Sequence, residues 1–266
     1  MLLTVKENKI STQIHPSAII DSNAYLGQNV LVGPLSIIED NVTIGDNTSI
    51  KNHVTIKAHT TIGKDCQIYQ SSVIGEAPQD LKYEGEVTQT EIGNNTVIRE
   101  FVTINKGTKA HGKTVIGNNV LFMAYVHIAH DCIVGDNVMF ANLVTLGGHV
   151  TVEDWASLGG GVLVHQFSKI GAHAFVGGGY RIVQDIPPFI LAAGEPLAYS
   201  GINRIGLKRR GFSQSERNAI KLAYRLVFRS QMSRSAALEK IKSDLSGDKN
   251  VDQIVDFITS SERGII

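Results

Sequence analysis

At 266 residues, with 42% apolar and only 6% aromatic side chains, the chain is long enough for one large body or two modest domains, and 26 glycines against 6 prolines favour tight corners over disorder. Lys and Arg total 25 and Asp and Glu also total 25, so no whole-molecule field argues for a nucleic-acid or membrane partner, and any charged partner must be sought locally. No run of eighteen apolar residues exists to span a membrane, and the opening MLLTVKENKIST lacks the apolar core of an export signal, so a cytoplasmic protein is expected.

The first element in chain order is a repeat of six. Ile14, Ile20, Leu26, Val32, Ile38, Ile44, Ile50, Ile56, Ile62, Ile68 and Ile74 fall in one phase, which resumes at Ile92, Ile98 and Ile104 and again runs unbroken from Ile116 to Ile182. Six matches neither the 3.6 of a helix nor simple alternation. It fits short flat strands joined by corners, each strand sending one aliphatic inward. A parallel β-helix is therefore predicted from about Ile14 to Ile182, within a domain of residues 1–190. Asp80, Glu86 and Ala110 interrupt the phase, which predicts loops leaving the coil at about 75–91 and 106–114. Loops on a regular scaffold commonly carry function, and the first, GEAPQDLKYEGE, presents Gln79, Asp80 and Lys82 where they can reach a neighbouring subunit. A tolerated insertion is the plainer reading. Cys66 and Cys132 lie more than two coils apart, beyond disulfide reach, and are expected to be packed thiols.

The aliphatic-Gly-x-x-small-x pattern resembles the hexapeptide-repeat acyltransferases, whose units wind three to a coil as a left-handed parallel β-helix. Periodicity gives the coil; the hand and the three-hexad turn come from the resemblance, as does an expected homotrimer with sites between subunits. At three hexads per coil, residues eighteen apart stack. His130 then lies below Gly148 and Gln166, His149 above Asp131 and below Phe167, and His165 above Gly147, so three histidines gather over three coils. Histidine beside a carboxylate is a candidate general base, and a Gly148 N–H is a candidate donor to a developing oxyanion. No nucleophilic Ser or Cys is required. Clustered histidines also describe the γ-class carbonic anhydrases on the same coil, but their His-x-x-x-x-His pair is absent here, the close pair being His127 and His130. No metal is expected.

Beyond Ile182 the phase stops at QDIPPFILAAGEP, and residues 191–266 read as a linker and a C-terminal α-helical domain. Ser213 and Glu216 form a plausible capping box. The helix that follows aligns Ile220, Ala223, Tyr224 and Val227 on one face and Arg217, Lys221, Arg225 and Arg229 on another. From Arg204 to Arg234 there are nine basic residues and one acid, Glu216, which implies an acidic or phosphorylated partner over the plainer reading of a solvated face.

Six strings in order, IGEAPQDLKY, HIAHDC, LGGHV, VHQF, GGGYRIVQDIPPF and GLKRRGF, sharpen the resemblance to the UDP-N-acetylglucosamine O-acyltransferases of lipid A biosynthesis across nearly the whole chain. The sister N-acyltransferases carry an additional domain before the coil, which is not expected here with the repeat beginning by Ile14. The resemblance implies that a 3-hydroxyacyl chain passes from acyl carrier protein to the sugar 3-hydroxyl of UDP-N-acetylglucosamine. His130 would be the general base, oriented by Asp131 and supported by His127, and Gly148 would supply the oxyanion N–H. Gln79, Asp80, Lys82, His149, His165 and Gln166 would line the sugar-nucleotide and acyl pocket. Asn203, Arg209 and Arg210 would hold the nucleotide or its phosphates, while Lys208, Arg217, Lys221, Arg225 and Arg229 would dock the acidic carrier protein. Gly178 falls at the family's acyl-length ruler, where a residue without a side chain implies a longer chain. No cofactor is implied beyond the carrier's phosphopantetheine thioester, which is the donor substrate. Ile205 stands where the family commonly has a nucleotide-contacting glutamate, with Arg204 beside it to compensate. Transfer to a 3-amino sugar, a coenzyme A donor, and a non-catalytic scaffold are the alternatives.

Overall fold

The computed structural model describes residues 11–266; the first ten residues, on which the reading of the N-terminus rests, lie outside the described residues. The body is a left-handed parallel β-helix with three sides, made of an 11-stranded, a 9-stranded and an 8-stranded sheet, here the first, second and third. Most strands are two residues long, one side of a coil each. The register confirms the stacking: Leu121 pairs with Met139, His127 with Thr145 and Ile133 with Thr151, all eighteen apart.

Each hexad sends its aliphatic inward, and Ile38, Ile44, Ile50, Ile56, Ile104, Ile128 and Leu146 are essentially buried. Burying a side chain of this size stabilises the fold by roughly 1.5–3 kcal/mol, so a coil covered on both ends contributes about three such increments. The corners need left-handed backbone at one residue in six. Asn29, Asn41, Asn47, Asn95, Asn119 and Asn137 supply it, as Asn tolerates this region better than other side chains. Phe101, Tyr125, Leu143, Trp155 and Phe167 adopt it too, against their intrinsic preference. The coil-to-coil hydrogen bonds hold them there, for example Phe167 N–H to Gly148 O at 3.1 Å.

Two insertions leave the coil. Val73 pairs with Thr103, thirty residues on, and Thr103 with His127, twenty-four on. The loops are shorter than predicted, at 77–88 and 106–112, because Val73–Glu76, Gln89–Ile92 and Lys113–Ile116 continue in strand conformation. The coil also outlasts the hexad phase: Ile170 bridges to Ile186, and Ile190–Ala193 pairs in parallel with Phe175–Val176 and antiparallel with Ala198–Ile202. Pro187 and Pro188 shift the spacing there, hiding the last coil from a count of sixes.

Four helices follow, α1 (Arg204–Arg209), α2 (Gln214–Arg229), α3 (Arg234–Asp244) and α4 (Lys249–Thr259). The capping box at Ser213 and Glu216 is present, and Ile220, Ala223 and Tyr224 are buried as the spacing predicts. The six-residue α1 replaces the expected linker; it is capped by Asn203, whose Oδ1 accepts the Gly206 N–H at 3.1 Å. The helical domain closes the end of the coil. Tyr224 donates its buried hydroxyl to Pro188 O at 2.5 Å, and the buried Asp185 carboxylate accepts from Lys169 N–H at 2.7 Å and from the Ser261 hydroxyl at 2.6 Å. Cys66 and Cys132 are free and buried.

Candidate active site

The corner between the second and third sheets brings together His130 and Asp131 of one coil with Gly148 and His149 of the next. The His149 N–H donates to the His130 carbonyl at 3.0 Å, which locks the two coils in register. Asp131 has left-handed backbone, φ 58°, which turns its fully buried carboxylate back toward its own neighbour. His130 Nδ1 lies 2.8 Å from Asp131 Oδ2. The carboxylate can only accept, so Nδ1 carries the proton and Nε2 is left as the basic nitrogen.

Asp131 is itself clamped by Thr108, which donates its N–H to Oδ1 at 2.9 Å and its hydroxyl to Oδ2 at 2.7 Å. Burial pushes the Asp131 carboxyl up, but the hydrogen bonds from His130 and Thr108 outweigh it and hold the group below its ordinary range. Asp131 therefore stays ionised at neutral pH. Gly148 lies flat against the imidazole: a Cβ there would sit 2.6 Å from His130 Cε1 and 2.7 Å from Nε2. Only glycine allows that approach.

His149 packs edge-on to His130 with ring centres 5.1 Å apart, stacks on Phe167 at 4.5 Å, and places Nε2 3.7 Å from Asp131 Oδ2. Its Nδ1 is buried and has no hydrogen-bond partner among the described residues. Burial lowers its pKa, opposed by Asp131 and by the charge of Asp80 from the first loop. His127, three residues before His130 on the same coil, bonds through Nδ1 to the Thr103 hydroxyl at 2.7 Å, and burial lowers its pKa also. His130, Asp131 and His149 have metal-ligand spacing, with ligand atoms within 4.8 Å of one another. Both Asp131 oxygens are already engaged by protein donors, an arrangement complete as a proton relay without an ion.

His165 does not join the cluster. Its position lies next to Gly147 rather than over His130, and its Nδ1 is 3.0 Å from the carbonyl of its neighbour Gln166, itself exposed. In its place the second loop contributes Thr108 and, 5.4 Å from His149 between ring centres, His111. Neither was predicted, because column arithmetic fails within an insertion. Gln79 and Lys82 are exposed on the first loop and Asp80 is half-buried.

The basic residues lie elsewhere. Arg204, Lys208, Arg209 and Arg210 line a groove of about 1160 Å³ between α1 and the outer face of the first sheet, with Met139, Phe175 and Leu191 as its apolar floor. Asn203 lines it too, although Oδ1 caps α1 and Nδ2 donates to His173 O at 2.9 Å. Arg210 is half-buried, 3.2 Å from His173 Nδ1 and 5.1 Å from the Trp155 ring centre, so it brackets α1 to the coil. Ile205 is exposed at the rim, and Gly178 sits exposed at the corner of the first and second sheets. On α2, Lys221, Arg225 and Arg229 are exposed, whereas Arg217 donates to Phe212 O and to Gln214 Oε1.

Against known proteins, residues 185–266 match a family described as UDP-N-acetylglucosamine O-acyltransferase, domain 2, and residues 23–58 and 113–148 match the bacterial transferase hexapeptide repeat. The chain is 48% identical over 254 residues to an acyl-[acyl-carrier-protein]–UDP-N-acetylglucosamine O-acyltransferase of Thiobacillus denitrificans, covering 95% of this chain and 98% of the relative. It is 46% identical to the enzyme of the same name from Halorhodospira halophila, over 96% and 99%. Among solved structures, the UDP-N-acetylglucosamine acyltransferase of Bacteroides fragilis superposes with a TM-score of 0.94 at 44% identity, covering 96% of this chain and all of that one. The Francisella novicida enzyme gives 0.92 at 40%, over 96% and 94%.

Proposed function

The chain belongs to the UDP-N-acetylglucosamine O-acyltransferase family, and from that membership together with the corner at His130 we infer that it transfers a 3-hydroxyacyl chain from acyl carrier protein to the 3-hydroxyl of UDP-N-acetylglucosamine, the first step of lipid A biosynthesis. The observation that carries the mechanism is the relay Thr108–Asp131–His130, whose free Nε2 faces out beside the Gly148 peptide.

In this reading Nε2 takes the proton from the sugar hydroxyl as its oxygen attacks the thioester carbonyl. Asp131 stabilises the imidazolium that forms. The Gly148 N–H donates to the oxyanion of the tetrahedral intermediate, a contact that strengthens as charge develops. Collapse breaks the carbon–sulfur bond, and the departing thiolate takes the proton back from His130, leaving an ester and a free carrier thiol. Cys132 is no nucleophile, its thiol being pushed up to about 12 by burial. Asp80, His149 and His127 would contact the sugar, with Gln79, Lys82, His165 and Gln166 around the same pocket.

We assign the nucleotide phosphates to the groove of Arg204, Lys208, Arg209 and Arg210, and the acidic carrier to the exposed Lys221, Arg225 and Arg229 with Arg217 and Lys208 at its edge. The groove and the histidine corner lie on different sides of one coil, so the complete site requires a homotrimer. Uncovered apolar surface supports this: Phe101, Tyr125 and Leu143 form a ridge down the corner of the first and second sheets, and Leu81 protrudes from the first loop. Gly178 lies higher on that corner and would leave room for a long acyl chain. A carrier protein and a sugar nucleotide as substrates support a cytoplasmic location; among the described residues no helix is long and apolar enough to cross a membrane.

The test is mass-spectrometric product analysis of wild type and His130→Ala with UDP-N-acetylglucosamine and a panel of 3-hydroxyacyl carrier proteins. Ester formed by wild type and lost in the variant is expected, and the preferred donor reports chain length. Turnover only with coenzyme A thioesters, or only with a 3-amino sugar, would replace this reading.

A further inference from the structure

The repeat uses one device at several corners. A hydroxyl or thiol inside the coil donates to the carbonyl of a residue one coil on, and the next N–H, across the same peptide, points outward to a side-chain oxygen. Thr12 donates to Gly27 O while Gln28 N–H binds Asp46 Oδ1, and Thr48 donates to Gly63 O while Lys64 N–H binds Asn94 Oδ1. Cys66 donates to Gly93 O at 3.2 Å while Asn94 N–H binds Asn118 Oδ1 at 2.8 Å, and Thr96 donates to Gly117 O while Asn118 N–H binds Asp136 Oδ1. Because a trans peptide is planar with C=O and N–H opposed, anchoring the carbonyl inside aims the N–H outside.

At the His130 corner the same device recurs with its outer half left open. Cys132, fully buried, donates its thiol to Gly147 O at 3.2 Å. The N–H across that peptide belongs to Gly148 and has no acceptor among the described residues. Where those four corners carry Asp or Asn in the coil above, this one carries Gln166, whose exposed side chain makes no bond to it. We propose that Cys132 is a positioning residue: by holding the Gly147 carbonyl it aims the Gly148 N–H at the substrate oxyanion, where the four corners just described aim theirs at a protein oxygen. The inference rests on the acyl-transfer reading above.

The experiment compares Cys132→Val, Cys132→Ser and Cys66→Val, each read for kcat, for KM of both substrates and for melting temperature, beside wild type and His130→Ala. Valine and serine both occupy this place in the repeat elsewhere, as at Val144, Val150, Ser36 and Ser72, so the variants are expected to fold. A peptide free to rock loses part of a contact whose full removal lowers kcat by roughly 10²–10³-fold, so Cys132→Val should lower kcat by about tenfold with both KM values unchanged. Cys132→Ser, retaining a donor, should return kcat to near wild type, and Cys66→Val, which breaks the same bond at an outer corner, should leave it unchanged. Wild-type kcat in Cys132→Val, or an equal loss in Cys66→Val, would overturn the proposal. No ester from wild type would instead overturn the acyl-transfer reading, and this inference with it.

Discussion

At residue 148 the addition of one carbon is decisive, because the ring of His130 occupies the space a Cβ would need. Gly148→Ala must either tilt the imidazole away from Asp131 or shift the peptide whose N–H is proposed to meet the oxyanion. Both damage the transition state rather than substrate binding, so kcat should fall by roughly 10²–10³-fold with KM little changed. A variant that loses only affinity would show that the peptide plays no part in the chemistry. Thr108 acts one step further out, through the carboxylate. Thr108→Val deletes the hydroxyl to Asp131 Oδ2 and spares the N–H to Oδ1, so Asp131 stays ionised but less firmly held. A loss of about tenfold in kcat is expected, a fraction of the roughly 10²–10⁴-fold that a general base contributes, because the base itself remains. Full activity in steady-state kinetics would reduce Thr108 to a loop anchor.

Between the coil and the helical domain the elements meet through aromatic rings. His173 stacks between Trp155 and Phe189, with ring centres 6.2 and 5.5 Å away, and meets Phe212 edge-on at 5.0 Å, while Arg210 reaches its Nδ1. Burial, with the Arg210 charge adding to it, lowers the His173 pKa from its ordinary 6.5 to about 4. The unfolded chain therefore takes up this proton first on acidification. Stability conferred by the neutral ring is complete above about pH 6.5 and is lost as the pH falls toward 4. His173→Phe keeps the stack without the titration, so its melting temperature should depend less on pH between 6.5 and 4 in a calorimetric series; an unchanged slope would remove His173 as the source. None of this bracket was legible in the sequence, where Arg210 reads as a phosphate ligand and residues 204–209 as linker, since α1 is only six residues long and is held by its Asn203 cap and by tertiary contacts. What could be read followed from the strictness of the coil. One inward aliphatic per hexad fixes the phase, and with the three-hexad turn implied by the family resemblance it put Asp131 beneath His149 and His130 beneath Gly148. Thr108 and His111 escaped the same arithmetic because they sit in an insertion with a spacing of twenty-four.

At the scale of the whole molecule, the three-sided coil separates what the chemistry needs together. The base lies at the corner of the second and third sheets, and the basic groove lies over the first sheet under α1. A rigid stack of coils cannot fold one side onto another, so if base and groove serve one site, as proposed above, a single chain has no route to it. The homotrimer proposed above would have one: in a closed ring of three copies the corner of each copy would meet the groove of the next, giving three equivalent composite sites. Complementation tests this directly. His130→Ala lacks the base and Arg209→Glu repels the phosphates, so each homotrimer should be inactive at moderate substrate. In trimers assembled from equal amounts of both, a site is intact only where an Arg209→Glu copy supplies His130 and a His130→Ala copy supplies Arg209, which for random cyclic mixing is about one site in four. Coexpression should then restore roughly a quarter of wild-type activity in the unfractionated pool, and about a third in mixed trimers isolated with two different affinity tags, since each of these has one intact junction of three. Mixed trimers as inactive as their parents would mean that base and groove of the same chain serve one site, and that the oligomer is only a scaffold.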